Sequence, residues 1–475
     1  MMRLLFLLVF LPVLLSGQRN FPADSVAGAA EEIFAIIKDR HPFAASMDGL
    51  KALEAARTQV QKEVMEAVGE RDSITYPEFI KMMAPMQEVT GCGHLILEPH
   101  FDSLESRSIR ENFLPLQMML ADDGRHVLMT GLRTTRDTFL PGTEVLAIEG
   151  EPVGPLMQSL SYFSGLNDQG NNRAGVMKII RFPSTYYQWH YGLKKQLSLT
   201  LKNDAGEVSE EVILAKHKPF VDPKKVKTDI SKTLTFRFSE DGQTGILDIN
   251  KFSTYKFTNG NYFKFIRTVF DTLRQTNTQQ LIIDIRDNGG GSSGRISALY
   301  RYLSDREFKF SSATISTGPA RALPGERGKV ARRRAAGAVT KKERRVQKAL
   351  TRKIKPVKEE LQFSGRVVVL VNELSFSASG IFARYVQGSG RGKLVGMPAG
   401  ASAGITYGAK DDGKKIYVGP DDNFEIKVNT IGLVPEFPEP GNVTPDIAVP
   451  LTVSALRAGR DEQLERALEI VSGKK

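Results

Sequence analysis

The chain has 475 residues, 41% of them hydrophobic and 25% charged, with one cysteine and a formal charge of +11 at pH 7. That length allows two or three domains with a real core, and that composition excludes a polytopic membrane protein. One thiol excludes an internal disulfide, so stability must come from packing.

The first residues read as a targeting segment. Arg3 gives a basic start, residues 4–15 are apolar, and Ser16 and Gly17 offer small side chains before Gln18. That order predicts a secretory signal peptide at 1–17, too short to span a bilayer, and an exported mature chain, periplasmic or extracellular. Residues 18–98 form a helical region. Ile33, Ile36 and Ile37 share a face, residues 50–68 are helical in composition, and Thr75-Tyr76-Pro77-Glu78 resembles a helix start. Thr90-Gly91-Cys92-Gly93-His94 breaks the pattern before an apolar strand at Leu95-Ile96-Leu97.

Residues 99–222 are expected to form a β domain of short strands and turns. Residues 140–153 read as a turn, an alternating strand, a glycine turn and a helix start, residues 197–201 alternate as another strand, and Asn203-Asp204-Ala205-Gly206 reads as a hairpin turn. From 223 to the end, strands and helices alternate, which argues an α/β fold class for the core. Strands are predicted at 244–249, 280–285, 308–315, 366–371 and 394–396, and helices at 262–273, after the glycine turn to about 303, and at 378–385. A basic insertion at 318–360 interrupts this core. Residues 321–358 hold fifteen Lys or Arg and two acids, Glu326 and Glu343, a net +13 that leaves −2 for everything else. No aromatic residue interleaves with those charges, so no nucleic acid is expected; a solvated loop, or an arm touching anionic surfaces, is.

Chemistry concentrates at two turns. In the first, Asn372-Glu373-Leu374-Ser375-Phe376-Ser377-Ala378 follows an apolar strand and opens a helix on small residues. A serine there can present its hydroxyl beside unpaired helix amides, which stabilise an oxyanion; a plain N-cap serine is the alternative. The second, Asp287-Asn288-Gly289-Gly290-Gly291, follows a buried strand and lets the backbone approach another segment closely. It could supply half of an oxyanion hole, or be only a tight strand-to-helix turn; its spacing fits no phosphate loop. Nucleophilic serine chemistry needs a base. Of the six histidines, His41, His94, His100, His126, His190 and His217, His94 sits in a constrained turn, whereas His41 looks like a helix-end residue. Cys92 is read as a small buried thiol. No metal cluster or nucleotide motif is evident, so no cofactor is expected.

Together these residues resemble the C-terminal-processing and tricorn-type serine peptidases. The resemblance rests on Asp284-Ile285-Arg286-Asp287-Asn288-Gly289-Gly290-Gly291, on the serine turn about ninety residues later, and on Glu439-Pro440-Gly441-Asn442-Val443-Thr444-Pro445-Asp446. It implies a crotonase-like core of repeated ββα units, a helical N-terminal region and a PDZ-like β domain whose carboxylate-binding stretch is residues 140–153. One branch of the family uses a serine–lysine dyad. The position in register here is Ser402, and no lysine lies between Gly396 and Tyr407. The other branch implies Ser377 as nucleophile, His94 as base and Glu439 as orienting acid, with Glu436 as the alternative. It implies an oxyanion hole between the amide of Ala378 and that of Gly290 or Gly291. Gly380, Met397 and the Gly441-Asn442 pair depart from the family pattern.

The function these features imply is an exported serine endopeptidase acting on polypeptides. Two alternatives stay open: a catalytically silent homologue that binds peptides or other ligands, and a cationic surface-interaction protein acting through its basic insertion. Oligomeric state is not legible.

Overall fold

The structure, a computed structural model, describes residues 20–99, 112–164, 173–217, 230–252, 260–316, 341–409, 416–419 and 424–473. The expected signal peptide, His100 and residues 317–340 of the basic insertion lie outside these.

Helix Ala23–Arg40 buries Val26, Ala30, Ile33 and Ile37 along one stripe, the spacing an amphipathic helix requires. Helix Met47–Glu70 is capped by Ser46, whose Oγ accepts the Gly49 N–H at 3.0 Å. The start expected at Thr75 is a capping box, with Glu78 Oε2 accepting the Thr75 N–H at 2.8 Å at the head of helix Tyr76–Glu88. Phe79 of that helix stacks on Phe424 at 4.2 Å between ring centroids, so a late part of the chain returns to this early core. It returns as the hairpin Ile416–Val418 and Phe424–Lys427, whose second strand pairs antiparallel with Ile96–Pro99.

Between these, strands Val208–Leu214, Gln196–Lys202, Glu144–Ile148, His126–Leu128 and Met118–Leu120 lie in that order across an antiparallel sheet. Leu197, Leu199 and Leu201 point inward, as the alternation predicts. Helix Val153–Ser159 begins where the helix start is expected, but helices Arg173–Arg181 and Pro183–Tyr191, which pack in the same region, go beyond the expected short strands and turns. The cause is legible afterwards. Ala174, Met177 and Ile180 recur with helical period and are buried, and Pro183 occupies a first helical position, where its missing N–H costs nothing.

The core sheet runs Leu234–Phe238, Thr244–Ile249, Gln280–Asp284, Arg366–Val371, Lys393–Gly396, Ile447–Ala448. Its first pair is antiparallel and the other pairs parallel. Helices Tyr262–Gln275, Ser293–Tyr300 and Ala378–Gly388 join the main core cluster, while Glu462–Ser472 packs on the other face against Ile246, Ile282, Val368 and Leu370. Burial on both faces explains why Leu281–Ile283 and Val367–Val371 are unbroken apolar runs. The strand predicted at 308–315 is two strands in different sheets. Phe308–Lys309 pairs with Lys353–Ile354, and Ala313–Ile315 joins Ile431–Val434 and Thr406–Ala409. Buried Ser311 makes the break, its N–H donating to Leu350 O and its Oγ to Val434 O. The described part of the insertion carries helix Lys341–Thr351, whose Val346 and Leu350 pack on the core while Arg344, Arg345 and Lys348 stay exposed.

Candidate active site

Strands Gln280–Asp284 and Arg366–Val371 are parallel neighbours, so the two chemistry-bearing turns leave the same edge of the sheet side by side. Ligands of open α/β sheets bind outside such carboxyl ends. The turns are sewn together. Phe376 N–H donates to Asn288 O at 3.0 Å, Ser375 Oγ donates to Ile285 O at 2.8 Å, and Asp287 N–H donates to Asn372 Oδ1 at 2.9 Å. Asn372 Nδ2 returns a bond to Asp287 Oδ1 at 2.8 Å. Below them Arg286 clamps Asp284 at 2.6 Å and Asp461 at 2.7 Å, tying the glycine turn to the C-terminal helix.

This lacing holds Ser377 at φ +55°, ψ −121°, directly before the Ala378–Gly388 helix. Such a backbone conformation costs a non-glycine residue about 1–3 kcal/mol and persists only where the surroundings over-determine it. It lifts the half-buried Ser377 out of the turn rather than leaving it to cap the helix; its side chain makes no cap hydrogen bond. Gly290, at φ +93°, lies so close that a Cβ on it would stand 2.9 Å from the Ala378 nitrogen and 2.9 Å from Ser377 Cβ. Its own N–H, however, donates to Asn288 Oδ1 at 3.0 Å. Of the two glycine amides expected for the oxyanion hole, Gly290 is thus committed elsewhere, and its contribution is the missing side chain. Gly291, at φ +140°, is bridged to Phe252 through its neighbours, with Phe252 N–H donating to Gly290 O and Ser292 N–H to Phe252 O, so its own N–H takes no part in that bridge.

His94 reaches this turn from the end of the helical region, its ring packed on Phe376 at 4.5 Å between centroids. The strand pairing of Ile96–Pro99 with Phe424–Lys427 fixes the chain immediately after it. Glu439 Oε1 accepts from Arg384 Nη2, a buried guanidinium on the Ala378–Gly388 helix that also donates to Phe437 O. Glu436 Oε2 accepts the Lys309 N–H at 2.9 Å. Gly380 is explained by packing, since a Cβ there would meet Ala401 Cβ at 2.1 Å. Cys92 is buried, as expected.

Two residues that sequence reasoning passed over belong to this neighbourhood. His41 is fully buried, its Nδ1 accepts the Phe43 N–H at 3.3 Å, and its ring lies 4.6 Å from that of Tyr407. Burial, reinforced by the nearby His94, depresses its pKa to about 3, so it is a neutral imidazole with the proton on Nε2. Its neighbour Tyr407 precedes Gly408, which faces Ser377 Oγ. The signal was the pair His41-Pro42 at a helix end, but nothing local ties it to a strand some 366 positions later. Of the other described histidines, His190 accepts or donates through Nδ1 with Tyr162 OH at 2.9 Å, and His126 and His217 lie on strands of the β region. A cavity of about 360 Å³ lies at the seam between the β region and the core, lined by Met119, Arg181, Asp287, Asn372 and Leu456. A second, of about 230 Å³, adjoins it along Leu120, Met177, Glu373 and Met397.

Residues 243–416, which span both turns and the Ala378–Gly388 helix, match the profile of peptidase family S41. That segment, rather than the whole chain, is similar to this family of C-terminal-processing and tricorn-type serine peptidases. The enzyme class is therefore a serine-type peptidase, and polypeptides are the substrate class. Among solved structures, the chain is similar to mature CPAF, with a TM-score of 0.64 and 16% identity over 94% of this chain and 96% of that one. It is also similar to mature CPAF complexed with lactacystin, with a TM-score of 0.62 and 15% identity over 94% of this chain and 98% of that one. At such identity the likeness shows a shared fold. No curated protein matches the chain by sequence.

Proposed function

We propose that the chain is an exported serine endopeptidase in which Ser377 is the nucleophile and His94 its base. The observation that carries this reading is the left-handed backbone of Ser377 at a helix N-terminus, pressed against a glycine turn. His94 takes the proton of Ser377 Oγ–H as the oxygen attacks a peptide carbonyl, and later returns it to the leaving amine. The oxyanion then lies between the amides of Ala378 and Gly291, each such donor lowering the barrier by roughly 3–4 kcal/mol in serine hydrolases. Asn288 supports the hole from behind by fixing Gly290.

For Glu439 the Arg384 ion pair supports a second role beside that of orienting acid: it neutralises a buried guanidinium and anchors the closing segment to the serine helix. The repeated strand–helix units and the antiparallel sheet around residues 140–153 support the finer labels of a crotonase-like core and a PDZ-like domain. Export rests on residues 1–17, and Arg344, Arg345 and Lys348 support an auxiliary contact with anionic surfaces.

The test is labelling of the mature chain with a fluorophosphonate probe, compared with Ser377→Ala and His94→Ala. Loss of labelling in both variants is expected. A folded wild type that never labels would sink the peptidase reading in favour of a silent peptide-binding homologue, and a fully reactive His94→Ala would remove His94 as base.

A further inference from the structure

Several glycines around Ser377 are explained by the chain itself. Gly290 needs its positive φ, and a Cβ on Gly380, Gly400 or Gly432 would meet neighbouring atoms at 2.1, 2.3 or 3.2 Å. Gly408 differs. It is exposed and lies in strand Thr406–Ala409, where the ladder with Ile431–Val434 shifts register between Tyr407 and Ala409, leaving Gly408 as the extra residue of a bulge. Its φ is outside the left-handed region, so the bulge does not require glycine. Nor does crowding require it. A Cβ there would meet Thr406 Cγ2 at 3.6 Å, Leu433 Cδ1 at 3.8 Å and Ser377 Oγ at 3.8 Å, all ordinary contacts. Besides bulges, strand glycines often mark places where a ligand or another backbone comes close.

That place is next to the reactive oxygen. At attack, the scissile carbonyl carbon stands about 3–3.5 Å from Ser377 Oγ. The side chain of the residue carrying that carbonyl begins two bonds further on, within about 6 Å of Oγ, which is where a side chain on residue 408 would project. The walls there are methyl groups, Thr406 Cγ2 and Leu433 Cδ1. We propose that Gly408 is a specificity-determining position: its missing side chain leaves a methyl-lined space beside Ser377 Oγ for an aliphatic side chain on the acyl side of the scissile bond. The inference rests on the peptidase reading above and names the substrate residue that reading leaves open.

The experiment compares wild type, Gly408→Ala and Gly408→Val on two otherwise identical peptides with Leu or Gly before the scissile bond, with circular dichroism to verify folding. Wild type should prefer the Leu peptide by at least roughly tenfold in kcat/KM. Gly408→Val should bring that ratio down by roughly tenfold or more, with Gly408→Ala between. A Leu:Gly ratio in folded Gly408→Val within about twofold of wild type, or a wild type with no preference for Leu, would overturn the proposal. Fluorescence anisotropy of the same peptides, labelled with fluorescein, on Ser377→Ala and on Ser377→Ala/Gly408→Val gives a second reading that needs no turnover. If wild type fails to react with fluorophosphonate, the peptidase reading has failed by itself, and the anisotropy ratio decides Gly408 by the same criterion.

Discussion

His41 makes a quantitative prediction about stability and pH. Its ring is fully buried beside Tyr407, and desolvation together with the nearby His94 lowers its folded-state pKa from 6.5 to about 3. Unfolded, the same imidazole titrates near its ordinary value of about 6.5. Between these two values the unfolded chain binds a proton that the folded chain refuses, so stability rises with pH through this window and is lost as pH falls below about 6.5. Going from pH 7.5 to pH 5.0 crosses about 1.5 units of the window, and at about 1.36 kcal/mol per unit the loss from His41 is about 2 kcal/mol. Other groups titrate over the same range, so the difference between wild type and His41→Gln isolates the contribution. Urea denaturation at both pH values, followed by far-ultraviolet circular dichroism, should show the variant destabilised at pH 7.5 but losing about 2 kcal/mol less than wild type on acidification. Parallel losses in the two proteins, within about 0.5 kcal/mol, would refute the idea that His41 is a neutral histidine sealed behind the site.

Three further substitutions probe the site from other sides. Gly290→Ala puts a Cβ 2.7 Å from Phe376 O and 2.9 Å from the Ala378 nitrogen, at φ +93°, and should lower the melting temperature and cut peptide hydrolysis by roughly 100- to 1,000-fold; near-normal turnover would show that the oxyanion lies elsewhere. Glu439→Gln removes the counter-charge of Arg384, a cost on the order of 1 kcal/mol because the carboxylate is largely exposed, so a small drop in melting temperature with less than about tenfold loss of kcat is expected for the anchoring role. A loss of about 10,000-fold in kcat without destabilisation would instead assign it to His94. Ser375→Ala leaves the Asn372 N–H without its Oγ acceptor and Ile285 O with only the Asn288 N–H, and should cost about 1–3 kcal/mol by thermal denaturation; no change would mean that the lacing between the two turns is dispensable.

How far the sequence could be read follows from where each constraint is stored. Val367 to Val371, Gly289 to Gly291 and Ser377 to Phe382 carry their own signals: an unbroken apolar run, glycines where the backbone turns back, and small residues where a helix opens. Those signals are local, and they mark the serine turn and the glycine turn opposite it. His94 is singled out by the resemblance, and its packing on Phe376 joins segments 282 positions apart. Glu439 shows the limit of motif reasoning, because a carboxylate in the expected motif is held by an arginine on the serine helix, and no motif encodes which partner a flexible side chain takes. His41 and Gly408 are harder still. One looks like a helix-end histidine and the other like a strand glycine, and each acquires meaning only when the fold sets it beside Tyr407 or Ser377 Oγ. Gly408 is the stronger case, since neither its φ nor its surroundings call for glycine. A residue whose identity neither conformation nor packing demands is where the demands of a substrate can be sought.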